Sequence, residues 1–356
     1  MKEYNKENIA AEGSDELFEH FRLVADPGQS PVRLDIFILN RIEKASRNRI
    51  QNAIRDGSIL VDDKEAKPNF KVKPGMVVTL SLAKPPREDQ PVVPQNIPLD
   101  IRYEDDDIMV IHKPAGMTVH PGVGTPDGTL VNGLVYYFQN HELPIKDGNF
   151  SDRPGLVHRI DKDTTGLMVI AKNQEAMTHL SKQFYDHTTE RKYQALIWGE
   201  MEEEEGTITG NIARDPRNAV LRAVVDEEDG GKHAITHFKV LERLYYVSLV
   251  ECQLETGRTH QIRIHFKHKG HPLFGDPRYG GDRIHKGTVF TKYKQFVVNC
   301  FKLIPRQALH AKSIGFIHPK TGEQMFFESE LPEDFQSVLD KWRNYVGGRK
   351  ELAEKD

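Results

Sequence analysis

The run Arg153-Pro154-Gly155-Leu156-Val157-His158-Arg159-Ile160-Asp161-Lys162-Asp163-Thr164-Thr165-Gly166-Leu167-Met168-Val169-Ile170-Ala171 decides the fold. Its first part is polar and is bounded by Pro154-Gly155 and Gly166, the composition of a loop. Leu167 to Ala171 is apolar without a break, which predicts a strand buried on both faces at the centre of a sheet. Loops at the ends of such strands are where a rigid scaffold presents reactive groups. Within this loop Asp161 stands between Arg159 and Lys162, cations that favour its charged form and suit a nucleophile or base. The bland alternative is that Asp161 or Asp163 simply caps the following turn.

Outward from that strand, more strands are expected at Ile101–Tyr103, Ile108–Ile111, Lys192–Trp198, Ala234–Leu241, Tyr246–Glu255, Ile314–Ile317 and Gln324–Glu328. Helices are expected at Thr129–Gln139, Gln174–Tyr185, His260–Lys269 and Pro332–Tyr345, with exposed loops at Glu202–Glu205 and Asp215–Lys232. Arg214, beside the second of these loops, and Arg217 and Arg222 within it could grip a polyanion. Strands outnumber helices and neighbouring strands join through short loops. The fold class is therefore α+β with a mixed, largely antiparallel sheet.

A chain of 356 residues favours two globular units. Lys and Arg total 49 against 53 Asp and Glu, near balance, yet the charge is uneven along the chain. Residues 1–30 read as an acidic, flexible extension. Residues 31–83 are basic, with ten Lys and Arg against six Asp and Glu. Residues 84–98 hold five prolines and read as a linker, residues 99–346 as the large unit, and 347–356 as a charged tail. No apolar run is long enough to span a membrane, and the N-terminus lacks a secretory core, so a cytoplasmic protein is expected. Two cysteines, Cys252 and Cys300, are too few for a disulfide framework or a four-thiolate zinc site. His260 and His265 lack the spacing of helical zinc ligands. No cofactor and no metal are expected.

In the basic unit, Leu34 to Ile42 has helical periodicity, Ser46 is a candidate N-cap, and a second helix runs Arg47–Arg55 and stops at Gly57. Strands follow at Ile59–Val61 and Val77–Leu80. Arg47, Arg49 and Arg55 on the second helix suit phosphate contact, although such cations also merely solvate helices. Arg33-Leu34-Asp35, Ser46-Arg47-Asn48-Arg49-Ile50-Gln51 and Gly57-Ser58-Ile59-Leu60-Val61-Asp62 resemble the small RNA-binding module of a ribosomal small-subunit protein.

A second reactive segment, Glu255-Thr256-Gly257-Arg258-Thr259-His260-Gln261-Ile262-Arg263-Ile264-His265-Phe266, gathers two arginines, two histidines and a glutamine. Thr259 can cap a helix on which Arg263 and Lys267 share a face; a strand reading also stays open. Two arginine-bearing polar clusters point to an anionic substrate.

Together these runs resemble the RluA-type pseudouridine synthases. The likeness rests on His158–Leu167, Glu190-Arg191-Lys192-Tyr193, Thr256–His265, His271–Gly280, Lys113–Pro121 and Leu309-His310-Ala311. It covers roughly Leu99–Glu330, and Ile160, where Leu is commoner, is a volume-conserving departure. The resemblance implies isomerisation of a flipped-out uridine in RNA, with Asp161 as nucleophile, Arg263 as its ion-pair partner and Tyr193 packed against the uracil. It implies that Arg159 fills the gap left by the flipped base. His158, Arg258, His260 and Gln261 are expected on the RNA-binding side, although these histidines and Arg258 also read as structural or surface groups. Ribosomal RNA of the large subunit, or the pre-ribosomal particle, is the expected partner. Transfer RNA, a non-catalytic assembly factor and a hydrolase releasing free uracil are the alternatives.

Overall fold

The computed structural model describes residues 18–42, 47–82, 92–122, 124–139, 143–145, 153–215, 218–226, 228, 230–287 and 290–353. The chain divides into two compact units, residues 1–90 with 147–150, and residues 91–146 with 151–356. Among the described residues no helix is long and apolar enough to cross a membrane.

The first unit runs β1 (Phe18–Val24), β2 (Val32–Arg33), α1 (Leu34–Leu39), α2 (Arg47–Arg55), β3 (Ile59–Val61), β4 (Lys64–Glu65), β5 (Lys71–Val72) and β6 (Val77–Leu82). Leu34, Phe37, Ile38, Ile50 and Ile54 from the helices close over Ile59, Val61 and Val78 from the strands, forming one core. Residues 18–24, assigned by composition to the flexible extension, are instead β1, paired antiparallel with β6. Phe18, Phe21, Leu23 and Val24 supply the strand propensity that the surrounding acidic residues mask. The expected cap Ser46 lies outside the described residues, as do residues 1–17 of the extension, Ala83 of the basic unit and 84–91 of the linker.

The second unit continues β7 (Ile101–Glu104), β8 (Ile108–Lys113), α3 (Leu130–Tyr137), β9 (Thr165–Ala171), α4 (Gln174–Tyr185), β10 (Glu190–Trp198), β11 (Glu205–Asp215), β12 (Asn218–Val225), β13 (Lys232–Arg243), β14 (Val247–Leu254), α5 (Gln261–His268), α6 (Thr291–Leu303), β15 (Leu309–Ile317), β16 (Gln324–Glu328) and α7 (Glu333–Ala353). These strands form a ten-stranded sheet in the order β12-β11-β13-β14-β10-β15-β9-β8-β7, with β16 also on β15. Every pairing is antiparallel except β15 with β9, so the sheet is mixed and largely antiparallel, and the α+β expectation holds. Every residue of β9 is buried, as an unbroken apolar strand requires. One face carries a core of Met109, Met168, Ile170, Ile197, Val250 and Phe266. Against the rest of the sheet, α6 and α7 pack Val297, Cys300, Phe335, Leu339 and Trp342 around Trp198.

Four expectations are corrected here. Residues 218–225, expected within an exposed loop, are β12, paired along Arg214, Ala213 and Ile212 of β11, with Leu221 and Val224 packed against the cluster of Ile212, Ala234, Ile264 and Tyr279. Residues 92–98 of the expected linker lie along α3: Val92 packs on the core, the Asn132 side-chain amide donates to Val93 O, and Gln95 N–H donates to Asn132 O. The expected tail continues as helix through Ala353 despite Gly347-Gly348, while 354–356 lie outside the described residues. The helix α6 is not among the expected elements, although Tyr293, Val297 and Cys300 stand at the i, i+4, i+7 spacing of a buried helix face; Lys292, Lys294 and Lys302 lower its apolar character.

Candidate active site

The loop before β9 is held by its backbone. Lys113, fully buried, donates from Nζ to the carbonyls of Pro114 (2.7 Å), Met117 (2.9 Å) and Lys162 (2.8 Å). Burial lowers its pKa to about 7 against the pull of Asp163 and Asp161. The three carbonyl acceptors match the three N–H bonds of the ammonium form. Arg306, tied by a bidentate pair to Asp334, donates from Nη1 to Asp163 O at 3.0 Å. The chain then enters β9 at Gly166, whose φ is +117° and where a Cβ would lie 2.2 Å from Ala311 O. Only glycine fits there.

These contacts deliver Asp161 to a half-open pocket lined by Arg159, Asp161, Arg191, Tyr193, Arg258 and Arg263 among others. Arg263, on the buried face of α5, donates from Nη1 to Asp161 Oδ2 at 3.0 Å. Its Nε and Nη2 form a bidentate pair with Asp276 at 2.7 and 2.9 Å, and the guanidinium lies over the Tyr279 ring at 5.0 Å. Burial opposes the charge on Arg263, but Asp276 and Asp161 outweigh it and raise its pKa further. Asp276 is itself fully buried and accepts the backbone N–H groups of Arg278 and Tyr279. The result is a fixed chain, backbone to Asp276 to Arg263 to Asp161, that leaves one oxygen of Asp161 without a strong donor. His260 Nε2 lies 3.8 Å from that oxygen, beyond hydrogen-bond reach. Burial pushes the His260 pKa down to about 4, so the ring is neutral at pH 7 and makes no ion pair.

Tyr193 lies on β10 between Cys252 of β14 and Ala311 of β15, small neighbours that leave its ring room, next to an irregularity in the β10–β15 register. Burial raises its phenol pKa, with Asp161 adding and Arg191 opposing, so it keeps its proton at neutral pH.

The structure gathers Asp161, Tyr193, Arg263, Arg159, Arg258, His260 and Gln261 around one pocket. Arg159 is exposed at the rim and donates from Nη1 to His120 Nε2 at 2.6 Å. Arg258 donates from Nε to His233 O. Gln261, in the pocket lining, is also a brace: its amide oxygen accepts from Thr256 and Arg258 N–H, and its nitrogen donates to Ile235 O and Thr236. His158 lies elsewhere. It stacks on Phe184 at 4.5 Å, and its Nε2 accepts the Val169 N–H at 3.0 Å, away from the pocket. The αL backbone of His260 (φ 58°) starts α5 with no side-chain cap, so Thr259 is not the N-cap that the sequence suggested.

Among the expected RNA-binding cations of the first unit, Arg47 is not free: its Nε and Nη2 donate to the buried Asp35, which Arg33 and Gln51 also hold. Arg55 is exposed and donates to Asn52 Oδ1. The Arg49 side chain lies outside the described residues. Two residues central to the site, Lys113 and Asp276, carried no role in the sequence reading. A lone acid set between Gly275 and Pro277, and a lysine opening a Pro-Gly turn, were the available signals.

The family model for RNA pseudouridylate synthase matches residues 107–268, and that for the S4 domain matches residues 32–78. An uncharacterized RNA pseudouridine synthase of Chlorobaculum parvum is 43% identical over 323 residues, covering 89% of this chain and 96% of its own. The ribosomal large subunit pseudouridine synthase D of Neisseria meningitidis is 40% identical, covering 91% of this chain and 82% of its own. Among solved structures, human RNA pseudouridylate synthase domain containing 4 aligns with a TM-score of 0.51 at 23% identity, over 68% of this chain and 92% of that one, which speaks to the fold. With its sheet, its Asp161–Arg263 pocket and relatives matched over almost their whole length, the chain belongs to the RluA-type RNA pseudouridine synthases.

Proposed function

We propose that this enzyme isomerises specific uridines of large-subunit ribosomal RNA to pseudouridine, in the cytoplasm, with Asp161 as the reacting carboxylate. A uridine stacked in RNA hides C1′ and C5, so the nucleotide must leave the stack and enter the pocket. Asp161 then acts as the C1′–N1 bond breaks, by adding to C1′, by adding to the base, or by drawing off a sugar proton. Arg263 fixes one of its oxygens and leaves the other toward the substrate. Tyr193 packs against the uracil and sits where a proton leaves C5. Arg159, at the rim, exchanges His120 for the vacated stack. The module over residues 31–83 grips neighbouring RNA through its cations. With the uracil seated against the apolar lining of Ile160, Leu254, Ile262 and Leu309, water is kept from the detached base, so the reaction ends in isomerisation and no uracil escapes.

The observation that carries this reading is the 3.0 Å Asp161–Arg263 pair beside Tyr193 in one pocket. The relative from Neisseria meningitidis named for the large ribosomal subunit supports the choice of RNA. Two experiments test it. Asp161→Asn is expected to bind RNA and form no pseudouridine; turnover like that of the unaltered enzyme would refute the role of Asp161. Mapping pseudouridines in total RNA with and without the gene should show losses confined to large-subunit ribosomal RNA, and losses confined to transfer RNA would replace that substrate.

A further inference from the structure

Arg191 lines the pocket beside Asp161 and Tyr193, is 7% exposed, and shares the inward face of β10 with Tyr193 two residues on. Among the described residues it has no carboxylate partner and its Nε has no hydrogen-bond partner. Nη2 reaches only Glu255 O, at 3.5 Å, the outer limit of a hydrogen bond. The guanidinium rests on the Phe184 ring at 5.3 Å, and Gly257 makes room for it: a Cβ there would stand 3.1 Å from Nη1. The other buried arginines near the site are neutralised, Arg263 by Asp161 and Asp276, Arg306 by Asp334. A desolvated cation without a counter-ion costs stability, and burial accordingly lowers the Arg191 pKa. Such a group is expected where the substrate brings the negative charge.

The reaction of this family creates that charge inside the pocket. When C1′–N1 breaks, the bonding pair goes to N1 and spreads over O2 and O4 of the uracil. The ring's electrons are used again when C5 attacks C1′; C5 then loses its proton and N1 gains one, so uridine and product stay isomers. A phosphate is the weaker match, because phosphates stay hydrated at the rim, where the exposed Arg159 and the half-buried Arg258 already lie. We propose that Arg191 is a further catalytic residue, donating hydrogen bonds from its unpaired edge to a carbonyl oxygen of the flipped uracil and balancing the anion that forms on glycosidic cleavage. This rests on the family's reaction and not on which RNA is modified.

The test compares uridine with 5-fluorouridine at the target position, since the fluorinated base is the more stable anion and needs less help; the rate read on both is loss of the N1-linked nucleoside, because 5-fluorouridine has no C5 proton to lose and halts after C1′–C5 bonding. Single-turnover rates are measured at saturating RNA, by chromatography of digested RNA, for the unaltered enzyme, Arg191→Gln, Arg191→Lys and Gly257→Ala. Arg191→Gln should lower the uridine rate about 100-fold or more with RNA affinity within about threefold, as loss of a charge-stabilising donor does. Arg191→Lys should recover part of the rate, and the fluorinated base should shrink the Arg191→Gln defect about tenfold. Gly257→Ala, which crowds the guanidinium without removing it, should show a smaller defect that shrinks in the same way. Equal defects on both bases, or a loss of RNA affinity with the saturated rate intact, would overturn the proposal. Should Arg191→Gln fail to fold, Arg191→Lys and Gly257→Ala decide it by the same ratio.

Discussion

Arg263 commits only one nitrogen to Asp161 and two to Asp276, so the orientation of the reacting carboxylate is set one step away from it. Replacing Asp276 by Asn removes half of the negative charge that holds Arg263 and breaks the bidentate geometry. Arg263 then swings toward Asp161 and takes up the oxygen that substrate needs. The expected result is a saturated rate about 10- to 100-fold lower with RNA affinity nearly unchanged, measured in single turnover. A loss of affinity at full rate would show that Asp276 serves binding instead. Tyr193→Phe keeps the ring between Cys252 and Ala311 and removes only the hydroxyl. It should bind RNA normally and isomerise more slowly, by about 100-fold if the phenol handles the C5 proton. Equal rates would leave Tyr193 a packing residue.

Among the elements, β9 is where local sequence and architecture agree most closely, and its entry shows why. Thr165 and Gly166 are the only β9 residues that also pair with β15, in parallel, and the backbone of Ala311 lies where a side chain on Gly166 would go. Gly166→Ala should therefore cost about 3 kcal/mol or more and lower the thermal midpoint markedly, while Gly116→Ala, at a positive φ with open space around it, should cost less. Similar midpoints for the two would mean that β9 and β15 separate easily. The same contrast explains what could be read in advance. Strands with continuous or alternating apolar residues, β8, β9, β10 and β16, are written in local periodicity, and so is α4, with Asn173 capping its first turn. Elements whose burial is earned only by tertiary contact are not: β1 carries charges, β12 needs α5 to bury Leu221 and Val224, and α6 is studded with lysines. In the site, Asp161 and Arg263 stand in dense polar motifs that mark themselves. Lys113 and Asp276 do not, because their meaning lies in which carbonyls and which guanidinium the fold brings to them.

At the scale of the whole chain, two units carry different work, and charge in each answers to a different variable. In the first unit, Arg49→Ala with Arg55→Ala should flatten the salt dependence of RNA binding by about two units of slope; an unchanged slope would take that helix out of the interface. Arg47→Ala should behave otherwise, lowering stability as well, because the buried Asp35 loses a donor. In the second unit the variable is pH. His310 is fully buried between Thr165 and Ser329, His265 is fully buried beside Thr236, and His158 is stacked on Phe184. Burial pushes their pKa values down to about 3, 4 and 3. In the unfolded chain each returns to about 6.5. Above that pH both states are neutral and the full stability is present. As pH falls below it the unfolded chain takes up protons that the folded one refuses, so stability declines until the folded pKa is reached. Between pH 6.5 and 5 carboxylates in the unfolded chain remain charged, which isolates the imidazoles. The slope there should approach about 1.4 kcal/mol per pH unit for each histidine. Urea unfolding at pH 7.5, 6 and 5 should show the midpoint falling across this window, and His310→Gln should reduce the fall by roughly one proton's worth even if it lowers the midpoint at every pH. A midpoint flat from pH 7.5 to 5 would mean that these rings find water in the folded state.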